Sequence, residues 1–145
     1  MRVDFYQLSR DPAEAVVAGL VANTLKAGER MVVVSNDADQ RTAVSQALWS
    51  HASESFLAHG EAGGVQDARQ PVLLSDTVDA SNGAKFVALA DGAWRDGLDG
   101  FERVFLLFGP TEIEGARGCW RMLGERDGVE RKFWVQDGGK WREGP

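Results

Sequence analysis

Short apolar runs alternate with helix-like segments in the first part of this chain, and this alternation restricts its fold more than any other feature. Val3–Leu8 and Met31–Val34 have the composition of strands. Between them, Asp11 and Pro12 are typical of a helix N-cap and first helical position, and Gly28 follows the last apolar position of helical spacing. A second helical pattern follows after a connection of only a few residues. A β-α-β-α order with such short connections predicts a parallel α/β sheet.

The rest of the chain extends this prediction. A helix is expected from about Thr111, after a Gly-Pro pair, and Ser50–Gln70 is predicted to be a long loop. Ala90–Gly100 is predicted to be a short helix or a turn. Further strands are predicted at Pro71–Ser75, Lys85–Leu89, Val104–Phe108 and Arg131–Gln136. The expected fold class is therefore α/β, one domain over residues 1–145 with a mostly parallel sheet flanked by helices, Rossmann-like but without a phosphate-binding loop.

Composition narrows the kinds of partner this chain can have. It has 145 residues, 43% of them apolar, and a net charge of -6, so the whole surface is not suited to coating nucleic acid. From Arg117 to Arg142, however, seven Lys and Arg stand against four Asp and Glu. A basic end on an acidic body favours a local acidic partner. The alternative, that these cations only complement helix C-termini, stays open.

The single cysteine and the absence of long apolar stretches predict a cytoplasmic protein. Cys119 has no partner for an internal disulfide, which fits a reducing compartment. It lies between two arginines that could activate a thiol, although no histidine is near it in sequence. No segment approaches the roughly 18 apolar residues of a membrane span, and the N-terminus lacks a signal-peptide pattern. No membrane association is expected.

Motifs for nucleotides, metals and catalysis are absent from the expected positions. The segments after the first two strands are SRDPAE and SNDADQ, without the glycines of a phosphate loop. His51 and His59 have no clustered cysteine or carboxylate, so a metal site is not predicted. No G-x-S-x-G occurs. The sequence thus predicts no catalytic residues and no cofactor, and an enzyme that uses an unrecognised loop is kept as the alternative.

Arginine and tryptophan side chains are the best candidates for a binding site. Arg117 and Arg121 lie four residues apart, on one face of the predicted helix, with Trp120 beside them. Two guanidiniums next to an indole can hold a carboxylate and pack against a ring at once. A solvated helix face with one half-buried Trp explains the same pattern, so both interpretations stay open. For Trp49, core packing and an exposed interface position are likewise both open.

Seven short pieces of the chain occur in an order and at spacings that match a known family. They are FYQL at Phe5–Leu8, AGERMVVV at Ala27–Val34, QALW at Gln46–Trp49, ESFLAHG at Glu54–Gly60, QPVLLSD at Gln70–Asp76, FERVFLLF at Phe101–Phe108 and AR-x-x-WR at Ala116–Arg121. With these pieces the chain resembles, over nearly its whole length, the chi subunit family of bacterial DNA polymerase III holoenzyme.

This resemblance implies a noncatalytic accessory protein with a nucleotide-binding-like fold that binds no nucleotide. It has no catalytic site of its own, although the family is named as part of a DNA-directed DNA polymerase complex. The implied partners are the psi subunit, or another clamp-loader component, and the acidic, Phe-ending C-terminal tail of single-stranded DNA-binding protein. DNA is then contacted only indirectly. Direct single-stranded DNA binding by aromatic side chains is a further alternative, against which the acidic body argues.

The resemblance also implies a tail-binding site. It would consist of Trp49, Phe56, Arg117, Trp120 and Arg121, with Trp120 at a position where the family can have Tyr. One position departs from the family pattern, since Ile113 stands where a basic residue is often found one turn earlier on the helix. The psi-binding surface is not assigned to particular residues.

Overall fold

The computed structural model describes residues 1–50, 59–64, 66–137 and 140–144, which form a sheet covered by helices on both faces. The strands are β1 (Arg2–Gln7), β2 (Met31–Val34), β3 (Gly60–Glu61), β4 (Val72–Ser75), β5 (Phe86–Leu89), β6 (Arg103–Phe108), β7 (Glu130–Asp137) and β8 (Lys140–Glu143). The helices are α1 (Ala13–Lys26), α2 (Ala38–Ser50) and α3 (Ile113–Gly124), with 3-10 turns at Asp67–Arg69 and Pro110–Glu112.

The sheet confirms the predicted α/β class. Its strand order is β3-β4-β2-β5-β6-β1-β7-β8, and every neighbouring pair is parallel except β7 and β8. All four residues of Met31–Val34 are 0% exposed. The near-continuous apolar composition of the central strands therefore reflects burial on both faces of the sheet.

The two helix layers lie on opposite faces of this sheet. On one face, α1 and α2 pack through Val17, Val21 and Leu48 in a cluster that includes Val33 of β2. On the other face, α3 packs through Ala116, Cys119 and Leu123 in a cluster that includes the adjacent Val32. Successive strand residues point to opposite faces, which is why neighbours in β2 belong to different clusters. Consequently α2 and α3 are separated by the sheet.

Helix α1 begins differently from the expected pattern. Its N-cap is Pro12, with no side-chain capping hydrogen bond, so the prediction of an Asp11 cap is wrong. The Asp11 carboxylate instead accepts a hydrogen bond of 2.7 Å from the side-chain amide of Gln136. The predicted stop at Gly28 is confirmed, because this residue has φ of +80°, which suits glycine.

The predicted long loop is partly regular. Ser50 still belongs to α2, Gly60–Glu61 adds a short strand beside β4, and Asp67–Arg69 is a 3-10 turn. Residues 51–58 lie outside the described residues, as does the predicted Gly138-Gly139 turn. Within 90–100 the chain makes turns and bends without a helix, and Leu98 is buried in the core.

No helix in the described part of the chain is both long and apolar enough to cross a membrane.

Candidate functional site

A cavity of about 260 Å³ lies between α3 and the sheet, and we call it the α3 groove. It is lined by Gln7, Ile113, Arg117, Trp120, Arg121, Phe133 and Val135. The structure thus brings together Arg117, Trp120 and Arg121, the three residues of α3 in the predicted tail-binding site. Its floor, from β1 and β7, was not predicted.

Trp120 packs between the groove and the core. Its ring meets the rings of Phe5 and Phe133 edge to face, with centroids 5.2 and 5.7 Å apart. On the other side, the Arg131 guanidinium carbon lies 4.2 Å from the indole centroid, and Arg131 Nη1 donates a 2.6 Å hydrogen bond to the Trp120 carbonyl oxygen. The indole is therefore a preformed wall of the groove, as well as part of the packing that attaches α3 to the sheet.

The two groove arginines differ in their electrostatic surroundings. Arg117 Nη1 lies 2.8 Å from a carboxylate oxygen of Glu114, three residues earlier on α3. Arg121 is exposed and makes no ion pair with any residue that the structure describes. A ligand carboxylate can pair with Arg121 directly, whereas at Arg117 it must compete with Glu114.

Ile113 changes the character of one end of the groove. It lines the cavity and packs against the core cluster beneath α3. A basic residue here would add a charge, whereas isoleucine adds apolar area. The departure from the family pattern thus makes the groove more apolar and leaves the charges to the arginines one and two turns later.

Trp49 does not line the α3 groove. It lies near the end of α2, in the helix layer on the opposite face of the sheet. Its side chain is 63% exposed, and its ring meets the His59 ring edge to face with centroids 6.0 Å apart. Of the two open interpretations, exposure is the one that the structure supports. Phe56, the other predicted member of the site, lies outside the described residues.

Cys119 faces the core and is not activated. Burial raises the pKa of its thiol to about 11, outweighing the opposing charge of Arg126. A thiol with this pKa is protonated at neutral pH and is a poor nucleophile. The idea that the flanking arginines activate it is therefore wrong, because the side chain points into the apolar cluster beneath α3.

The position after β1, where a dinucleotide-binding protein would hold a pyrophosphate, is filled by the chain itself. Three successive backbone amides, of Ser9, Arg10 and Asp11, donate to the Oε1 atom of Gln136 over 3.2, 2.9 and 3.2 Å. These amides would otherwise be available to phosphate oxygens. A side chain from β7 takes the place of the anion.

The start of α2 is occupied in a similar way. The Asn36 amide donates to Asp91 over 2.9 Å, and the Asp39 amide donates to Asp37 over 2.9 Å. Burial pushes the pKa of Asp91 upward, but hydrogen bonds from Arg95 and from backbone amides outweigh it, so its pKa is below the usual value. The Asp91 carboxylate thus already accepts from the Asn36 amide, which a bound nucleotide would need as a donor. This arrangement argues against the nucleotide-enzyme alternative.

Among the residues that the structure describes, no three His, Cys, Asp or Glu side chains are grouped so as to hold a metal ion. His59 Nε2 instead lies 2.7 Å from the Ser45 hydroxyl oxygen. This contact ties the start of β3 to α2.

The floor of the groove carries only a weak sequence signal. Phe133 and Val135 alternate in β7, and Gln7 belongs to one of the pieces shared with the family. Alternation shows that these side chains share a face of the strand. Nothing local shows that α3 is on that side, so their role depends on the tertiary arrangement.

Comparison with known proteins places most of the chain in a family. The family model for "DNA polymerase III chi subunit, HolC" matches residues 1–130, which include all of α1, α2 and α3 and the six strands β1 to β6, and end at the first residue of β7. No curated protein matches the chain significantly. The matched region covers most of the 145 residues and contains the four groove residues that lie on α3. The chain therefore belongs to the DNA polymerase III chi subunit family.

Proposed function

We propose that this protein is an accessory subunit of the bacterial DNA polymerase III holoenzyme, without a catalytic site of its own, that acts in the cytoplasm. In this proposal it docks the acidic C-terminal tail of single-stranded DNA-binding protein in the α3 groove. Membership of the chi family supports a role in replication. The observation that carries the docking proposal is a preformed, largely apolar groove whose wall includes Arg121, an exposed arginine that no described carboxylate pairs with.

The chemistry of a Phe-ending acidic tail matches this groove. The terminal ring needs an apolar cavity, which Phe133, Val135 and Ile113 supply. The carboxylates need guanidinium partners, which Arg121 offers directly and Arg117 offers in competition with Glu114. A charge-assisted hydrogen bond contributes roughly 1.5–3 kcal/mol when partly shielded. A contact of this small area is expected to bind with micromolar affinity and to weaken with salt.

Calorimetric titration with a tail peptide tests this assignment. We expect Arg121→Ala to lose most of the affinity, about tenfold or more, because it removes two or more charge-assisted hydrogen bonds. Arg117→Ala should lose less, since its guanidinium is already paired. Arg69→Ala, an exposed arginine in the 3-10 turn near β3, is the matched control and should bind like the wild type. Unchanged binding by both groove variants would exclude the α3 groove as the tail site.

We further propose that the exposed Trp49 surface contacts the second partner, the psi subunit or another clamp-loader component. Exposed tryptophans are frequent anchors of protein interfaces. Trp49 lies on the face of the sheet opposite the α3 groove, so both partners could be bound at once. The protein would then link the polymerase complex to single-stranded DNA-binding protein and reach DNA only through it.

A further inference from the structure

A second group of cations lies beside the α3 groove, on the edge strand β8. In the antiparallel pairing of β7 and β8, Val135 is opposite Arg142 and Asp137 is opposite Lys140. Directly opposite residues of an antiparallel pair project from the same face of the sheet. Because Val135 lines the groove, Arg142 and Lys140 project from the groove side of the sheet.

These strand cations are accessible. The Arg142 side chain is 61% exposed and only loosely paired, with 3.6 Å between its Nε and an Asp137 oxygen. Lys140 is also exposed. Gly144 follows on the same strand line, where its amide donates to the Phe133 carbonyl oxygen over 2.7 Å. A Cβ atom at Gly144 would lie 2.9 Å from a carbon of the Phe133 ring, so glycine at this position lets the ring lie against the strand.

The side chains of α3 and β8 that border the groove carry more positive than negative charge, which favours an acidic ligand. Arg117 and Arg121 stand on the helix side, and Lys140 and Arg142 stand on the strand side. The carboxylates paired with them are Glu114 and Asp137. Among these six described side chains, four cations against two carboxylates give an excess of two positive charges, on a chain whose net charge is -6. Such a local excess attracts and orients an anionic chain.

We propose that Lys140 and Arg142 bind the acidic residues that precede the terminal ring of the docked peptide. This inference rests on the proposed tail-docking function and extends it. The ligand site is then a trough between α3 and β8, with β7 as its floor, that recognises an extended acidic peptide. The helix arginines hold the carboxylate at the ring end, and the strand cations select for negative charge upstream.

Two peptides and two double variants separate this inference from the function on which it rests. Both peptides end in the same Phe with a free carboxylate, and one of them has its upstream acidic residues replaced by the corresponding amides. The Lys140→Gln/Arg142→Gln protein is compared with the matched control Arg69→Gln/Lys85→Gln, which removes the same charge elsewhere on the surface. Urea unfolding of each variant checks that the fold is intact.

The strand variant should bind the acidic peptide about 3- to 10-fold more weakly than the wild type, as two exposed ion pairs allow. Its affinity for the amide peptide should be unchanged, and the control variant should match the wild type with both. If Arg121→Ala abolishes binding while the strand variant binds both peptides normally, docking stands and this inference is overturned. If the wild type binds neither peptide, or binds only a single-stranded oligonucleotide at these cations, both are overturned.

Discussion

At the scale of single residues, Gln136 accepts the hydrogen bonds that a bound phosphate accepts in nucleotide-binding proteins of similar architecture. Its side-chain oxygen accepts from three backbone amides after β1, and its nitrogen donates to Asp11. The residue is 7% exposed, so these bonds are largely shielded from water. Leaving buried amides without an acceptor costs free energy. The stability of the turn between β1 and α1 therefore depends on this one side chain.

We expect Gln136→Ala to lower the free energy of unfolding by about 2–4 kcal/mol, because it leaves three amides without their acceptor. Urea unfolding followed by tryptophan fluorescence measures this change. Gln66→Ala, at an exposed position, is the control and should change stability by less than about 0.5 kcal/mol. A loss no larger than that of the control would mean that water replaces Gln136 at little cost.

The buried Cys119 thiol makes the free energy of unfolding depend on pH in the alkaline range. Its pKa is raised from 9.0 to about 11 by burial, so the folded state keeps a proton that the unfolded state loses. Stability from this group is complete below pH 9 and is lost as pH rises from 9 to 11. We expect the free energy of unfolding of Cys119→Ala to fall less steeply over this range than that of the wild type. Equal slopes in urea titrations across the range would contradict the assignment.

At the scale of elements, one face of α3 packs against the sheet and the neighbouring face carries the arginines of the groove. Ala116, Cys119 and Leu123 recur at helical spacing and face the sheet, while Arg117 and Arg121 are exposed beside them. This division follows from the helical period. The sequence predicted that Arg117 and Arg121 share one helix face, but the buried face was not assigned to particular residues. What the helix faces across the groove was not predicted, because Phe133 and Val135 arrive with β7, on the far side of the β1 strand from β6.

Glu114 competes with a ligand carboxylate for the Arg117 guanidinium. If the tail docks in the α3 groove, Glu114→Gln frees the Arg117 guanidinium and should tighten tail binding about twofold, the size of an exposed ion pair. Titration of the same peptide into Glu125→Gln, an exposed carboxylate at the end of the helix, controls for net charge. Equal affinities of the two variants would show that Glu114 does not compete.

At the scale of the whole molecule, the sheet separates two candidate docking surfaces. The α3 groove opens on one face, and Trp49 is exposed in the helix layer of the other face. The eight-stranded sheet between them suits the proposed adaptor, since the two surfaces do not overlap and both can be occupied at once. The five residues implied by the resemblance therefore divide, with three in the groove, Trp49 elsewhere and Phe56 outside the described residues.

We expect Trp49→Ala to leave tail-peptide affinity unchanged and to reduce co-purification of a polymerase-complex subunit. The reason is its location on the opposite face from the groove, together with the large contact area that an exposed indole offers. Arg121→Ala is the reciprocal control, which should lose the peptide and keep the subunit. Loss of peptide binding by Trp49→Ala would show that the tail reaches round the sheet edge, as the original five-residue site requires.

The amino-acid sequence by itself determined the α/β class, most strand positions, the helix that carries Arg117 and Arg121, and the family. The class, the strands and the helix depend on local periodicity and turn residues, and the family depends on short pieces in a characteristic order, all of which can be read along the chain without knowing its tertiary contacts. Only the tertiary structure decided that Trp49 and α3 lie on opposite faces, that Gln136 fills the turn after β1, and that β8 stands beside the groove. Each of these features brings together residues that are distant along the chain. Such contacts depend on strand order and register, which local sequence patterns do not encode.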